Sequence, residues 1–237
     1  MKHVVIVGGT KGLGRVLASE YNKAGVGVSV IGRTKPEPAE SGVTYCLADL
    51  GDSGARLAAL EQAVAANGPI DSMIFSHRYR GQGDTWVGEM EVGLTATRDL
   101  MEASLDKLAP DGCRSFVLLG SVAGLWIASE QGAGYHVAKA GMETLIRYYA
   151  VRWGPSGVRV NGVAPCAFIK PESRQYHTDN PAASERMAKL TPLGRMGTAE
   201  ESAAAVRFFA GNESRFITGQ NLIVDGGLTL QLQTSLG

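Results

Sequence analysis

Short runs of apolar residues, mostly β-branched, alternate along the chain with longer stretches in which apolar positions recur every three or four residues. Val4-Val5-Ile6-Val7, Val28-Ser29-Val30-Ile31, Met73-Ile74-Phe75 and Phe116-Val117-Leu118-Leu119 have the nearly continuous apolar character of strands buried on both faces, as do Val158-Arg159-Val160 and Leu222-Ile223-Val224. Between them, residues 13–24, 54–66, 86–108, 135–153 and 199–210 can each form a helix with one apolar face. This alternation predicts an α/β fold: a doubly wound, Rossmann-like parallel sheet in a three-layer α/β/α arrangement, with right-handed crossovers and ligands beyond the carboxyl ends of the strands. The stretch 166–190 breaks the pattern, with poor periodicity, several charges, and Pro171 and Pro181. It is expected to be a long loop with one short helix, serving as a lid over the site.

Composition narrows the picture. A chain of 237 residues with no repeat and no dividing linker suits one domain, and 44% hydrophobic residues supply a sizeable core. The 23 basic and 23 acidic residues cancel, so no global field draws the protein to nucleic acid or an anionic membrane, and neither is expected as a partner. Cys46, Cys113 and Cys166 form neither a CxxC pair nor a metal cluster with the histidines, which suggests a reducing compartment and no metal. The apolar run Val4–Val7 ends at Gly8-Gly9 and is too short for a signal core or a membrane span. A cytoplasmic location follows as the expectation.

Candidate chemistry begins at Gly8-Gly9-Thr10-Lys11-Gly12-Leu13-Gly14, which follows the first strand and opens the first helix. Glycines here permit a tight bend at Gly8, close approach of an anion at Gly12 and close helix–strand packing at Gly14, while helix N–H groups and the dipole favour a phosphate. An acid at the end of the second strand would bind adenosine ribose hydroxyls and repel a 2′-phosphate, but Gly32 stands there, followed by Arg33. With Lys11 as a second cation, the pattern favours NADP(H); otherwise both are solvated surface charges. Tyr135 and Lys139 are one helical turn apart, so the ammonium can favour the phenolate of a tyrosine acting as general acid or base.

These features together resemble the classical short-chain dehydrogenase/reductase family. The likeness rests on the glycine spacing of residues 8–14, Tyr135-His136-Val137-Ala138-Lys139 as YxxxK, Gly120-Ser121-Val122-Ala123-Gly124, Arg159-Val160-Asn161 with Ala164-Pro165, Pro192-Leu193-Gly194-Arg195, and Thr218-Gly219-Gln220 closing on Val224-Asp225-Gly226-Gly227. It implies catalysis by Ser121, Tyr135 and Lys139, with Ser121 orienting a substrate oxygen. It further implies a cofactor site of Gly8, Thr10, Lys11, Gly12, Leu13, Gly14, Arg33, Asp49, Leu50, Ser76 and Pro165, together with Tyr135 and Lys139, the lysine also holding the nicotinamide ribose. The expected reaction is reversible hydride transfer between NADP(H) and a small ketone, aldehyde or alcohol. A homodimer or homotetramer is implied through the helices at 86–108 and 135–153.

Three departures stand out. Phe75-Ser76-His77-Arg78 replaces the usual Asn-Asn-Ala-Gly, Gly93 falls where a helical asparagine commonly supports a proton-relay water, and Pro165-Cys166 replaces Pro-Gly. His77, Arg78 and Arg80 are candidates to contact substrate or cofactor, an anionic substrate group suiting the arginines, and Phe168 and Tyr176 are candidate substrate contacts from the lid. The departures also motivate a nucleotide-binding regulatory or scaffold protein, and the fold admits a dehydratase or epimerase.

Overall fold

Along β1 (His3–Val7) the pleat sends Val4 and Ile6 to one side of the sheet and Val5 and Val7 to the other, and all four are fully buried. Burial on both sides demands a helical layer on each. The computed structural model describes residues 1–82 and 85–232. Within them β2 (Gly27–Gly32), β3 (Val43–Leu47), β4 (Ser72–Phe75), β5 (Ser115–Leu119), β6 (Arg159–Pro165) and a later strand (Asn221–Val224) join β1 in one sheet, every pair parallel.

One face is covered by α1 (Gly12–Lys23), through Leu13, Leu17 and Tyr21, and by a late helix (Ala199–Ala210), through Ala203, Val206 and Phe209. The other carries α2 (Ser53–Asn67), then a composite helix, then the long helix Ala133–Trp153. The composite helix corrects the expected single helix at 86–108. It runs as α3 (Thr85–Gly88), a π-helical stretch (Glu89–Thr95), α4 (Ala96–Ser104) and a 3₁₀ turn. The long helix is α5. Apolar periodicity does not distinguish a π turn from an α turn, so this break carried no sequence signal.

The edge strand β3 was not among the predicted strands; its residues are mostly half-buried, which weakens the apolar run. The stretch 166–190 also differs from the expected loop with one short helix. It contains β7 (Phe168–Ile169), α6 (Arg174–Asp179) and α7 (Pro181–Leu190), and β7 pairs with β8 (Gly197–Thr198); the late helix and strand are α8 and β9. No residue of α6 is buried, so that helix has no apolar face to announce it.

The sheet order is β3-β2-β1-β4-β5-β6-β9. The order reverses between β1 and β4, opening a crevice at their carboxyl ends. Val7 lies opposite Phe75 in register, and the Ser76 N–H donates to the Val7 carbonyl at 2.8 Å, so the glycine turn and the Phe75-Ser76-His77-Arg78 segment start side by side.

Candidate active site

The turn from β1 into α1 closes only with glycine. Gly8 has φ +86°, and a Cβ there would lie 2.6 Å from the His77 backbone; a Cβ on Gly14 would lie 2.3 Å from the Gly8 carbonyl oxygen. Leu13 is buried beneath the turn, Thr10 is half-buried, and Lys11 is exposed as the N-cap residue of α1. The Gly12 N–H at the helix start donates to Glu172 Oε1 at 2.8 Å. A carboxylate from the 166–190 segment thus stands on the donor that a pyrophosphate would use, so the turn's outward N–H fits an anion and the residues present fit the nicotinamide dinucleotide.

At the end of β2, a Cβ on Gly32 would meet the Thr10 methyl at 3.4 Å, which brings that strand end against the glycine turn. Arg33 is exposed just beyond, its guanidinium reaching the Arg80 carbonyl at 3.4 Å. After β3, Asp49 is exposed and accepts from the Gly51 N–H at 3.0 Å, and Leu50 is buried. Ser76 is half-buried after β4, and Pro165 is buried at the end of β6. These positions all lie at the carboxyl end of the sheet.

Ser121 follows β5 in extended backbone and caps a 3₁₀ turn (Val122–Gly124), its Oγ accepting from the Ala123 N–H at 3.1 Å. Two contacts tie this segment to α5. The His136 ring bridges the Ala123 carbonyl at 2.7 Å and the Ala128 carbonyl at 3.2 Å, and the Lys139 ammonium donates to the Leu119 carbonyl at 2.8 Å. Tyr135 lies in the first turn of α5, and Lys139 Nζ is 5.7 Å from the centre of its ring. The strand end bearing Ser121 and the helix bearing Tyr135 and Lys139 therefore meet. Lys139 is only 6% exposed, and burial lowers its pKa to about 8, Glu89 opposing that shift and Arg78 adding to it.

His77 departs from its expected substrate-facing position. It is buried, with Nε2 2.8 Å from the Val92 carbonyl and 3.3 Å from the Thr97 hydroxyl, so it knits β4 to the π-helical stretch. Burial lowers its pKa to about 4. Arg78 is exposed, with its guanidinium carbon 5.3 Å from the Tyr135 ring centre. Sequence reasoning missed Glu89, which is 7% exposed and held above the usual carboxylate range by burial against the opposing pull of Arg78 and Lys139. Nothing in the sequence distinguishes it from the neighbouring acids. His136 and Glu172 were also missed, since both act through partners distant along the chain.

In the 166–190 segment, Phe168 packs against the core on the α1–α8 face, with Lys170 Nζ 5.8 Å from its ring centre. Tyr176 is exposed on α6 beside His177. The Cys166 thiol donates to the Ala167 carbonyl at 3.3 Å, and burial raises its pKa. Among the described residues, no group of three or more His, Cys, Asp or Glu could hold a metal ion, and no helix is long and apolar enough to cross a membrane.

A parallel sheet with a phosphate-type turn at its switch point, and a Ser, Tyr and Lys gathered one strand away, define a dinucleotide-binding oxidoreductase fold. Similarity to known proteins points the same way. Residues 7–229 match the family described as Enoyl-(Acyl carrier protein) reductase. An uncharacterized oxidoreductase of Schizosaccharomyces pombe is 32% identical over 95% of this chain and 90% of its own. The L-rhamnose 1-dehydrogenase (NAD(P)(+)) of Azotobacter vinelandii is 27% identical over 98% of both chains. The fold is that of a short-chain dehydrogenase/reductase from Serratia marcescens, with a TM-score of 0.83 at 23% identity, covering 96% of this chain and 98% of the other. The chain belongs to the short-chain dehydrogenase/reductase family, whose oxidoreductases use a nicotinamide cofactor.

Proposed function

We propose that the protein is an NADP(H)-dependent oxidoreductase that interconverts a small carbonyl compound and its alcohol, with Ser121, Tyr135 and Lys139 as the catalytic residues. One observation carries this reading: the Lys139 ammonium joins the end of β5, two residues before Ser121, to the ring of Tyr135. The Ser121 hydroxyl would hold the substrate oxygen, and the Tyr135 phenol would give that oxygen its proton in reduction and take it back in oxidation. The Lys139 ammonium favours the phenolate by its charge. When bound, the nicotinamide supplies or accepts the hydride.

Gly8, Thr10, Lys11, Gly12, Leu13 and Gly14 would hold the pyrophosphate, and Asp49, Leu50, Ser76 and Pro165 would line the rest of the cofactor site. Preference for NADP(H) is supported by two exposed cations, Arg33 next to Gly32 and Lys11 next to Thr10, whose methyl lies against Gly32, where no acid stands. Phe168, Tyr176 and Arg78 remain the proposed substrate contacts, with 166–190 as the lid. A homodimer or homotetramer is consistent with α5, on which Tyr148 and Val151 are 58% and 81% exposed. A cytoplasmic location completes the reading.

The test is a panel of ketones and aldehydes with NADPH, followed by loss of reduced-cofactor absorbance. Turnover abolished by Tyr135→Phe supports the enzyme. Cofactor binding without turnover across the panel favours a regulatory protein instead, a reading that gains from Arg78 lying across the Tyr135 ring.

A further inference from the structure

Three acids on the composite helix face two ways. Glu91 and Asp99 both pair with the buried guanidinium of Arg56 on α2. Glu89 turns instead into the crossing between the π-helical stretch and α5. Two glycines mark its place: a Cβ on Gly134 would lie in ordinary contact with Glu89 Cβ, at 3.5 Å, and one on Gly93 would lie 3.9 Å from Glu89 Oε2 and 3.3 Å from Ala138 Cβ. Gly134 and Ala138 each precede a catalytic position by one residue, so the carboxylate lies along the part of α5 that carries Tyr135 and Lys139.

The charges around it are unequal. Arg78 and Lys139 are the two cations bearing on Glu89, and both lie against the Tyr135 ring, at 5.3 and 5.7 Å from its centre. The other groups here are the Tyr79 N–H, which donates to the carboxylate, and the neutral His77 ring in the same loop as Arg78. Among the described residues the buried Lys139 ammonium hydrogen-bonds only neutral atoms, the Leu119 carbonyl and the Met142 sulfur, so the Glu89 charge acts on it through space and not as a direct ion pair. An ammonium so enclosed loses its proton unless an anion offsets the cost of burial.

We propose that Glu89 is a positioning residue of this site, its carboxylate keeping the Lys139 ammonium charged beside Tyr135. The catalytic consequence rests on the Ser121, Tyr135 and Lys139 reading above; the electrostatic relationship does not. Glu89 touches no reacting atom and acts through Lys139.

The experiment is a pH titration by NMR of protein isotope-labelled at the lysine ε-carbon, with the Lys139 signal assigned by its loss in Lys139→Ala. In the parent the midpoint is expected at about 8. In Glu89→Gln it should fall by about one pH unit. Glu89→Asp keeps the charge on a shorter arm and should lie between the two. Turnover of Glu89→Gln at pH 7 should drop about twofold and recover as the pH is lowered, with cofactor KM little changed. An unmoved midpoint in Glu89→Gln overturns the proposal, as does an Asp variant that titrates like the Gln variant. Should Glu89→Gln not fold, Glu89→Ala removes the same charge, and an unmoved midpoint there overturns it. A shifted midpoint in a protein that reduces no carbonyl supports the role of Glu89 while defeating the oxidoreductase reading.

Discussion

Glu172 Oε1 accepts the Gly12 N–H at 2.8 Å across 160 residues of chain. On the proposed reading, in which the Gly12 N–H serves the cofactor's pyrophosphate, the two anions would compete for one N–H. Replacing Glu172 by Ala is expected to tighten NADPH binding about three- to tenfold, equivalent to roughly 1 kcal/mol for a displaced charge-assisted hydrogen bond. Titration calorimetry measures this, and weaker binding would mean that Glu172 serves the bound state.

Arg33 stands beyond Gly32 with no acid beside it at the strand end. Arg33→Ala should weaken NADPH selectively, by roughly 1 to 3 kcal/mol if its hydrogen bonds to the 2′-phosphate are charge-assisted, and leave NADH nearly unchanged. Equal losses for both cofactors in calorimetry would make Arg33 merely structural.

Tyr135 and Lys139 should respond differently to substitution. Tyr135→Phe deletes the transferable proton and should remove nearly all turnover while leaving NADPH affinity little changed. Lys139→Ala should harm both, and should move the alkaline rise of alcohol oxidation to higher pH. Comparable loss of cofactor binding in the two variants, read by fluorescence titration, would contradict these roles.

The buried His77 ring gives a prediction about acid stability. Its folded pKa, about 4, lies below the ordinary value of 6.5, so between those pH values the unfolded chain carries a proton that the folded protein does not. Stability contributed by this group is therefore full above 6.5 and is lost as pH falls toward 4, by at most about 3 kcal/mol. His77→Gln should flatten that part of the pH dependence of urea unfolding. A slope equal to the parent's would place the acid sensitivity elsewhere, for instance at His3, whose pKa burial also lowers.

What the sequence made visible follows physical lines. Strands buried on both faces, such as Val4–Val7, must be apolar at every position, a demand that a half-buried strand or a surface helix does not make. The glycines at 8 and 14 follow from where a Cβ cannot fit. Edge strand β3 was hidden because half of its surroundings is solvent, and α6 because it buries nothing. In the candidate site, Ser121, Tyr135 and Lys139 are legible from the motifs that carry them. Glu89 is not, because its place beside Gly93 and Gly134 comes from the crossing of two elements far apart along the chain. His77 was read as a candidate substrate contact, yet the Val92 carbonyl holds it inside the protein. A partner supplied by main-chain atoms of a different element leaves no trace in residue identity.

The π-helical stretch Glu89–Thr95 also fixes the angular phase of everything around it. Adding or removing one residue in a helix rotates the side chains beyond it by about 100°. Restoring α-helical winding by deleting a residue between Glu89 and Gly93 would leave Asp99 locked onto Arg56 and swing Glu89 away from α5. The wide turn lets one continuous rod serve two masters, tying Glu91 and Asp99 to α2 while turning Glu89 toward α5. A single codon inserted in or lost from this turn would therefore re-aim the helix face toward α5 without disturbing the sheet behind it.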